Sequence, residues 1–149
     1  MLRDVREDDL DVFFEQQREP EGVAMALFPA REREAFDAHW SRVLANDSNV
    51  VRTIEVDGEV AGNIGSWEQD GRRLVGYWIG RDFWGRGIAT SALSELAGEL
   101  GRPLHAWVAN SNLGSIRVLE KCGFVQVGSH AEHDERFGEV VEELLFELR

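Results

Sequence analysis

The sequence predicts an α+β fold in which helices flank a mixed, mostly antiparallel sheet of about seven strands. Two Asp-Gly dipeptides, at 57–58 and 70–71, each separate two strand-like segments and favour tight antiparallel hairpins. A strand, a glycine-rich loop, a helix and a further strand then follow in order, and such a crossover places its two strands parallel. Both arrangements in one sheet make the sheet mixed.

Residues 1–45 predict one short strand and two helices. Residues 2–5 fit a strand, and the acidic side chains that follow favour the start of a helix over about 7–17, because carboxylates stabilise the positive end of a helix dipole. Residues 18–29 mix Pro, Gly and apolar side chains without periodicity, which indicates an irregular loop or a broken helix. Apolar residues recur at helical spacing within a second helix over 30–45.

From residue 49 onward, strand patterns alternate with two helices. The predicted strands are 49–56, 59–67, 73–80, 103–109, 123–129 and 140–148, and the predicted helices are 88–100 and 110–122. The first three of these strands form an antiparallel meander. The polar segment 131–138 is interpreted as a loop or hairpin end.

Length and charge restrict the class of protein. The chain has 149 residues, which predicts a single domain over 1–149. Its formal net charge of −12 argues against binding to nucleic acid or to an anionic membrane, because both need a basic surface. One cysteine, no signal-peptide pattern and no long apolar run predict a soluble cytoplasmic protein.

The clearest chemical signal lies between the strand 73–80 and the helix 88–100. Gly85 and Gly87 leave backbone N–H groups accessible at the positive end of that helix, where a phosphate group binds well, and Thr90 adds a hydroxyl donor. The alternative is that the glycines only permit a tight turn. The absence of a lysine after Gly87 argues against a P-loop, and Trp107 stands where a dinucleotide fold needs an acidic residue.

Two sequence segments contain this glycine turn and the helix that follows the next strand. They are GYWIGRDFWGRGIATSAL at 76–93 and NSNLGSIRVLEKCGF at 110–124. Together they resemble the GNAT N-acetyltransferases, in particular the RimJ/RimL-type protein N-terminal acetyltransferases. The pyrophosphate motif of that family falls on residues 84–89, and its Asn-x-x-Ser element falls on Asn112 and Ser115. The predicted order of strands and helices also matches, so the resemblance covers nearly the whole chain.

The resemblance implies an acetyl-CoA site and direct transfer of the acetyl group to a primary amine, either a protein N-terminus or a small amine. The pyrophosphate would lie on the backbone amides of the turn 84–90, and the pantetheine arm between the two parallel strands. Asn112 would bond that arm, or would serve only as a helix N-cap. The implied cofactor-binding residues are Trp78, Ile79, Gly80, Trp84, Gly85, Arg86, Gly87, Ile88, Ala89, Thr90, Asn112 and Ser115.

The catalytic groups are harder to assign, because two positions depart from the family pattern. Leu119 stands where many members have a tyrosine acid, and Leu74 where a glutamate base is frequent. Ser115, which matches a serine of the RimJ/RimL-type branch, is the candidate acid, unless it only caps its helix. Glu68 and Tyr77 are the remaining candidates for the base. The alternative is that Glu68 is a solvated charge at the end of a strand and that Tyr77 is a packed aromatic ring.

The acceptor is weakly encoded, and so is any metal site. Residues 1–21 hold eight acidic and three basic residues, and residues 131–149 hold seven and two, which favours a cationic acceptor such as a protein N-terminus, polyamine or aminoglycoside. No metal is expected, although His130-x-x-His133 in the predicted loop is a weak candidate. A non-catalytic acyl-CoA-binding module of the same fold is the alternative function.

Overall fold

The α+β fold with a mixed sheet, predicted from the sequence, is confirmed in the computed structural model, which describes residues 1–134 and 138–149. The strands are β1 (Leu2–Asp4), β2 (Val50–Val56), β3 (Glu59–Gln69), β4 (Arg72–Ile79), β5 (Leu104–Ala109), β6 (Val125–Asp134) and β7 (Glu139–Leu148). The helices are α1 (Asp9–Gln17), α2 (Pro20–Ala26), α3 (Arg33–Ala45), α4 (Ile88–Glu99) and α5 (Leu113–Lys121). The strand order is β1-β2-β3-β4-β5-β7-β6, and β4 and β5 form the parallel pair.

Helix α2 lies in the segment 18–29 that was predicted to be irregular or broken. Pro20 occupies its first turn, and the Glu19 carboxylate caps it by accepting hydrogen bonds from the amides of Glu21 (3.0 Å) and Gly22 (2.7 Å). The helix has seven residues. That length is too short for the apolar periodicity that marks a longer helix, so the capping residues were the available signal.

Strand β6 extends beyond its predicted end. Residues 131–134 pair with β7, although the sequence was interpreted as a loop over 131–138, of which 135–137 lie outside the described residues. Polar side chains occupy both faces of this part of the hairpin. Without an apolar face, the alternation that identifies a strand is missing from the sequence.

Two apolar clusters cover opposite faces of the sheet. Helices α4 and α5 pack on one face, where Ile64, Leu93 and Leu104 are fully buried. Helices α1 and α3 pack on the other face through an aromatic cluster that includes Phe13 and Trp40, whose ring centroids are 5.1 Å apart. No helix among the described residues is long and apolar enough to cross a membrane.

Strands β4 and β5 separate toward their carboxyl ends. Their parallel ladder consists of the pair Leu74 and His105, near the start of both strands. On the other side of β4, the Gly80 amide donates to the Ala61 carbonyl at 2.8 Å. Because hydrogen-bonded and non-hydrogen-bonded pairs alternate in an antiparallel ladder, the Ile79 amide faces away from β3, toward the gap beside β5.

Candidate active site

A cavity of about 440 Å³ opens at the carboxyl end of β4. Its walls come from β4, the turn before α4, α5 and α2, so it reaches both faces of the sheet. Most of the site residues predicted from the sequence line it. They are Tyr77, Trp78, Ile79, Trp84, Gly85, Gly87, Ile88, Ala89, Thr90, Asn112 and Ser115.

The turn before α4 has the geometry of an anion site. Gly85 and Gly87 adopt φ angles of 75° and 72°, a left-handed backbone that other residues adopt at a cost. A Cβ atom at either position would meet no atom within 4 Å, so the backbone faces open space. The first turn of α4 has no acidic residue and no side-chain cap. Its amides are therefore available to an anion.

Two aromatic contacts fix the shape of this turn. The Trp84 indole N–H donates to the Ile79 carbonyl at 3.0 Å, and the Arg81 guanidinium lies 4.6 Å from the centre of the Trp84 ring. Arg86 does not line the cavity; it faces Asp57 at 3.8 Å and the ring of Phe83. The turn is thus held by its own side chains, and its backbone is left facing the cavity.

Gly80 also lies outside the cavity lining. Its amide is bonded to Ala61, and a Cβ atom there would stand 2.7 Å from Nε2 of Gln16. A larger residue there would displace the Gln16 side chain of α1. Among Trp78, Ile79 and Gly80, the Ile79 amide is therefore the one that faces the gap.

Tyr77 and Ser115 meet in the wall of the cavity. The phenol oxygen of Tyr77 lies 2.6 Å from Oγ of Ser115 and 3.4 Å from the Ser115 carbonyl oxygen. Burial raises the pKa of Tyr77 to about 12. The Asn112 side chain accepts a hydrogen bond from the Ser115 amide at 3.2 Å and so acts as the N-cap of α5 while lining the cavity.

Sequence reasoning named Tyr77 and Ser115 separately and missed their contact. The contact joins β4 to α5, and the two residues are 38 positions apart in the sequence, so no local pattern indicates it. Glu68, the other catalytic candidate, pairs with Arg73 at 3.3 Å and is not among the residues that line the cavity. Leu74 and Leu119 are buried core residues.

Cys122 and the histidines contribute no reactive group to the cavity wall. The Cys122 thiol donates to the Thr90 carbonyl at 3.4 Å, and burial raises its pKa, so it remains protonated. His130 and His133 lie on β6 rather than in a loop, and side chains three positions apart on a strand point to opposite faces. Within 1–134 and 138–149, no three His, Cys, Asp or Glu side chains form a metal-binding group.

Comparison with known proteins identifies the family of the chain. Residues 1–125 match the family model of the acetyltransferase (GNAT) domain. The chain belongs to the GNAT acetyltransferase family. It is 26% identical to the uncharacterized N-acetyltransferase p20 of Bacillus licheniformis over 163 aligned positions, which cover 99% of this chain and 90% of that protein.

Two crystal structures share the fold. The ribosomal-protein-alanine N-acetyltransferase from Brucella melitensis is 20% identical with a TM-score of 0.80, over 99% of this chain and 98% of that chain. The spermidine N-acetyltransferase from Vibrio cholerae, in complex with CoA and spermine, is 14% identical with a TM-score of 0.85, over 99% and 94% of the two chains. The family predicted from the sequence motifs is confirmed.

Family membership makes this chain an acyltransferase that uses acetyl-CoA as its cosubstrate and transfers acetyl groups to amines. The residues of the cavity fit that cosubstrate. An open turn with glycine at positions 85 and 87 and no acidic residue suits the pyrophosphate, and the separated strands leave room for an extended arm.

Proposed function

We propose that the cavity at the carboxyl end of β4 binds acetyl-CoA and that the chain transfers the acetyl group directly to a primary amine. One observation carries the proposal. A single cavity brings together the open glycine turn before α4, the outward-facing amide of Ile79 and the hydroxyl of Ser115. These are an anion site, a donor for a carbonyl oxygen and a donor for a leaving sulfur.

Acetyl-CoA fits these groups in one orientation. Its pyrophosphate lies on the backbone amides between Gly85 and Thr90, where the helix dipole of α4 favours negative charge. Its arm follows the gap between β4 and β5. The thioester carbonyl then meets the Ile79 amide, which stabilises the negative charge that develops on oxygen during attack.

Direct transfer is favoured over a covalent acyl-enzyme. Cys122 is the single cysteine of the sequence, and its thiol is kept protonated by burial and is bonded to the Thr90 carbonyl. A thiol in that state is a poor nucleophile. The amine therefore attacks the thioester itself, and must be in its uncharged form to do so.

The finer proposal is that the acceptor is cationic, as spermidine or a protein N-terminus is. The register of β6, β7 and β5 places four acidic side chains on the sheet face opposite α4, namely Glu132, Asp134, Glu139 and Glu143. Glu143 pairs with Ala109, the last residue of β5, and so stands beside the gap. Met25 and Trp78 line the cavity from the same face, which gives the acceptor an approach opposite the bound acetyl-CoA.

Release of free CoA thiol over a panel of amines tests the proposal. The panel contains spermidine, a peptide with an N-terminal alanine, an aminoglycoside and a primary amine that carries no positive charge besides its own amino group. We expect thiol release with at least one primary amine and a lower KM for the cationic acceptors. Acetyl-CoA binding by calorimetry without turnover on any amine would instead identify a non-catalytic acyl-CoA-binding module.

A further inference from the structure

We propose that Tyr77 is a positioning residue for the transfer reaction: it donates its hydroxyl hydrogen to Oγ of Ser115 and thereby directs the Ser115 hydrogen into the cavity, toward the leaving sulfur. This inference rests on the proposed function of the cavity. It assigns Tyr77 neither the role of acid nor that of base. It also explains how the site operates with Leu74 and Leu119 where many family members have a base and an acid.

The geometry limits the pair to one shared hydrogen. Their oxygens are 2.6 Å apart, within the range of a strong O–H···O hydrogen bond. Each hydroxyl has one hydrogen and can accept, so one group donates to the other and the second hydrogen is left over. If Tyr77 donates, the remaining hydrogen belongs to Ser115, which lines the cavity.

The surroundings favour Tyr77 as the donor. Tyr77 packs against the buried apolar cluster beneath α4, and its hydroxyl has two acceptors, the Ser115 carbonyl oxygen at 3.4 Å and the nearer Oγ of Ser115 at 2.6 Å. A phenol is a stronger donor and a weaker acceptor than an aliphatic hydroxyl. Burial raises the pKa of Tyr77 to about 12, so the phenol keeps its hydrogen throughout the neutral range.

The proton balance of the reaction makes one hydroxyl sufficient. The nitrogen lone pair forms the new C–N bond, the C–S bond breaks, and its electron pair passes to sulfur. The nitrogen then releases one proton and the sulfur takes up one, so the reaction needs no net proton from the protein. The Ser115 oxygen accepts the nitrogen proton as its own hydrogen moves to sulfur. Since the thiol pKa is about 8.5, this last transfer makes a small demand.

A double-mutant cycle tests the role of Tyr77. We expect Tyr77→Phe to lower kcat about tenfold while the KM for acetyl-CoA stays within twofold, since losing one hydrogen bond of about 1.4 kcal/mol corresponds to that factor. In a Ser115→Ala background, Tyr77→Phe has no further effect, because the hydroxyl that it orients is gone. An unchanged kcat in the single variant, or equal losses in both backgrounds, would overturn the proposal.

Ser66→Ala is the matched control for Ser115→Ala. Ser66 lies on β3 opposite Val75, its hydroxyl is buried without a hydrogen-bond partner, and it does not line the cavity. Its removal should leave kcat and KM unchanged. Calorimetric titration with acetyl-CoA confirms that each variant is folded, because binding requires the assembled turn and gap.

A spectroscopic measurement tests the direction of the hydrogen bond without any turnover. Tyr77 is the single tyrosine of the sequence, so the tyrosine ring doublet in the Raman spectrum reports on this phenol alone. In the wild type we expect the two lines of this doublet to have the intensity ratio that is typical of a phenol that donates a hydrogen bond. In Ser115→Ala we expect this ratio to change. The ratio of an acceptor would overturn the proposal even if the enzyme is active, whereas a wild type that acetylates no amine would contradict the proposed function instead.

Discussion

Two polar clusters of the molecule use their hydrogen bonds in opposite ways. Beside β1, the buried Asp9 carboxylate accepts bonds from the Arg3 guanidinium (2.7 and 2.9 Å), the Arg6 amide (2.8 Å) and the Thr53 hydroxyl (2.7 Å). Beside the gap between β4 and β5, the Ile79 amide and the first amides of α4 face an open cavity.

The difference separates groups that stabilise the fold from groups that bind a ligand. A carboxylate with both oxygens satisfied by the protein has no capacity left for a partner, and breaking its contacts is costly. Donors that face a cavity contribute little to folding and are preorganised for charge that arrives with the substrate. Substitutions in the two clusters should therefore have different consequences.

The largest effect is expected from Gly87→Asp in the cavity turn. The variant places a carboxylate beside the pyrophosphate and a side chain on a left-handed backbone, so acetyl-CoA affinity should fall at least about 100-fold, since like charges about 4 Å apart near a surface repel by several kcal/mol. Calorimetric titration measures the loss. Gly71→Asp is the control, because Gly71 has a similar φ of 77° and open surroundings but lies in the β3–β4 turn.

If Gly87→Asp bound acetyl-CoA as tightly as the wild type does, the turn before α4 would not be the pyrophosphate site. Equal losses in both variants would indicate a general effect of strained backbone rather than a local one.

The next effect is a loss of stability in Asp9→Asn with acetyl-CoA binding retained. The substitution removes the charge that accepts hydrogen bonds from Arg3, the Arg6 amide and Thr53, and leaves Glu55 as the remaining charge partner of Arg3; we expect the free energy of unfolding to fall by about 3 kcal/mol. Urea denaturation measures this change. Asp37→Asn, which breaks an exposed pair with Arg33, should cost less than about 1 kcal/mol. Similar losses in both would show that the Asp9 cluster is not a special source of stability.

The smallest effect is the response of the same cluster to acid. Hydrogen bonding to Arg3 lowers the pKa of Asp9 from 3.8 to about 2. A folded-state pKa below the unfolded value contributes stability above pH 3.8 that is lost as the pH falls toward 2, here about 2 kcal/mol. Urea midpoints between pH 6 and about pH 2 should show this loss in the wild type and less of it in Asp9→Asn. Parallel curves would contradict the assignment.

The sequence predicted the elements whose side chains repeat at a regular spacing. The meander β2–β3–β4 has two Asp-Gly turns, and α4 has an apolar face that is buried at Leu93 and Leu96. The segment of helix α2 was predicted as an irregular loop or a broken helix and the end of β6 as a loop, because the one element is too short and the other too polar to show a period. Asp9 is the first residue of α1, as the acidic helix start predicts, and it also lies at the centre of a buried network with Arg3 and Thr53, which no local pattern indicates.

The same limit applies to the site. The glycine turn could be predicted because its residues are adjacent and their chemistry is local. The contact between Tyr77 and Ser115, and the position of Glu68 outside the cavity lining, depend on how β3, β4 and α5 pack together. A sequence motif assigns such residues by position, but their distances follow from tertiary structure.

A crystal structure of the chain with bound acetyl-CoA tests the central claim most directly. We expect the pyrophosphate on the amides of the turn before α4, the thioester carbonyl at the Ile79 amide, and the sulfur within hydrogen-bond distance of Oγ of Ser115. A pyrophosphate bound elsewhere, or a sulfur out of reach of Ser115, would contradict it.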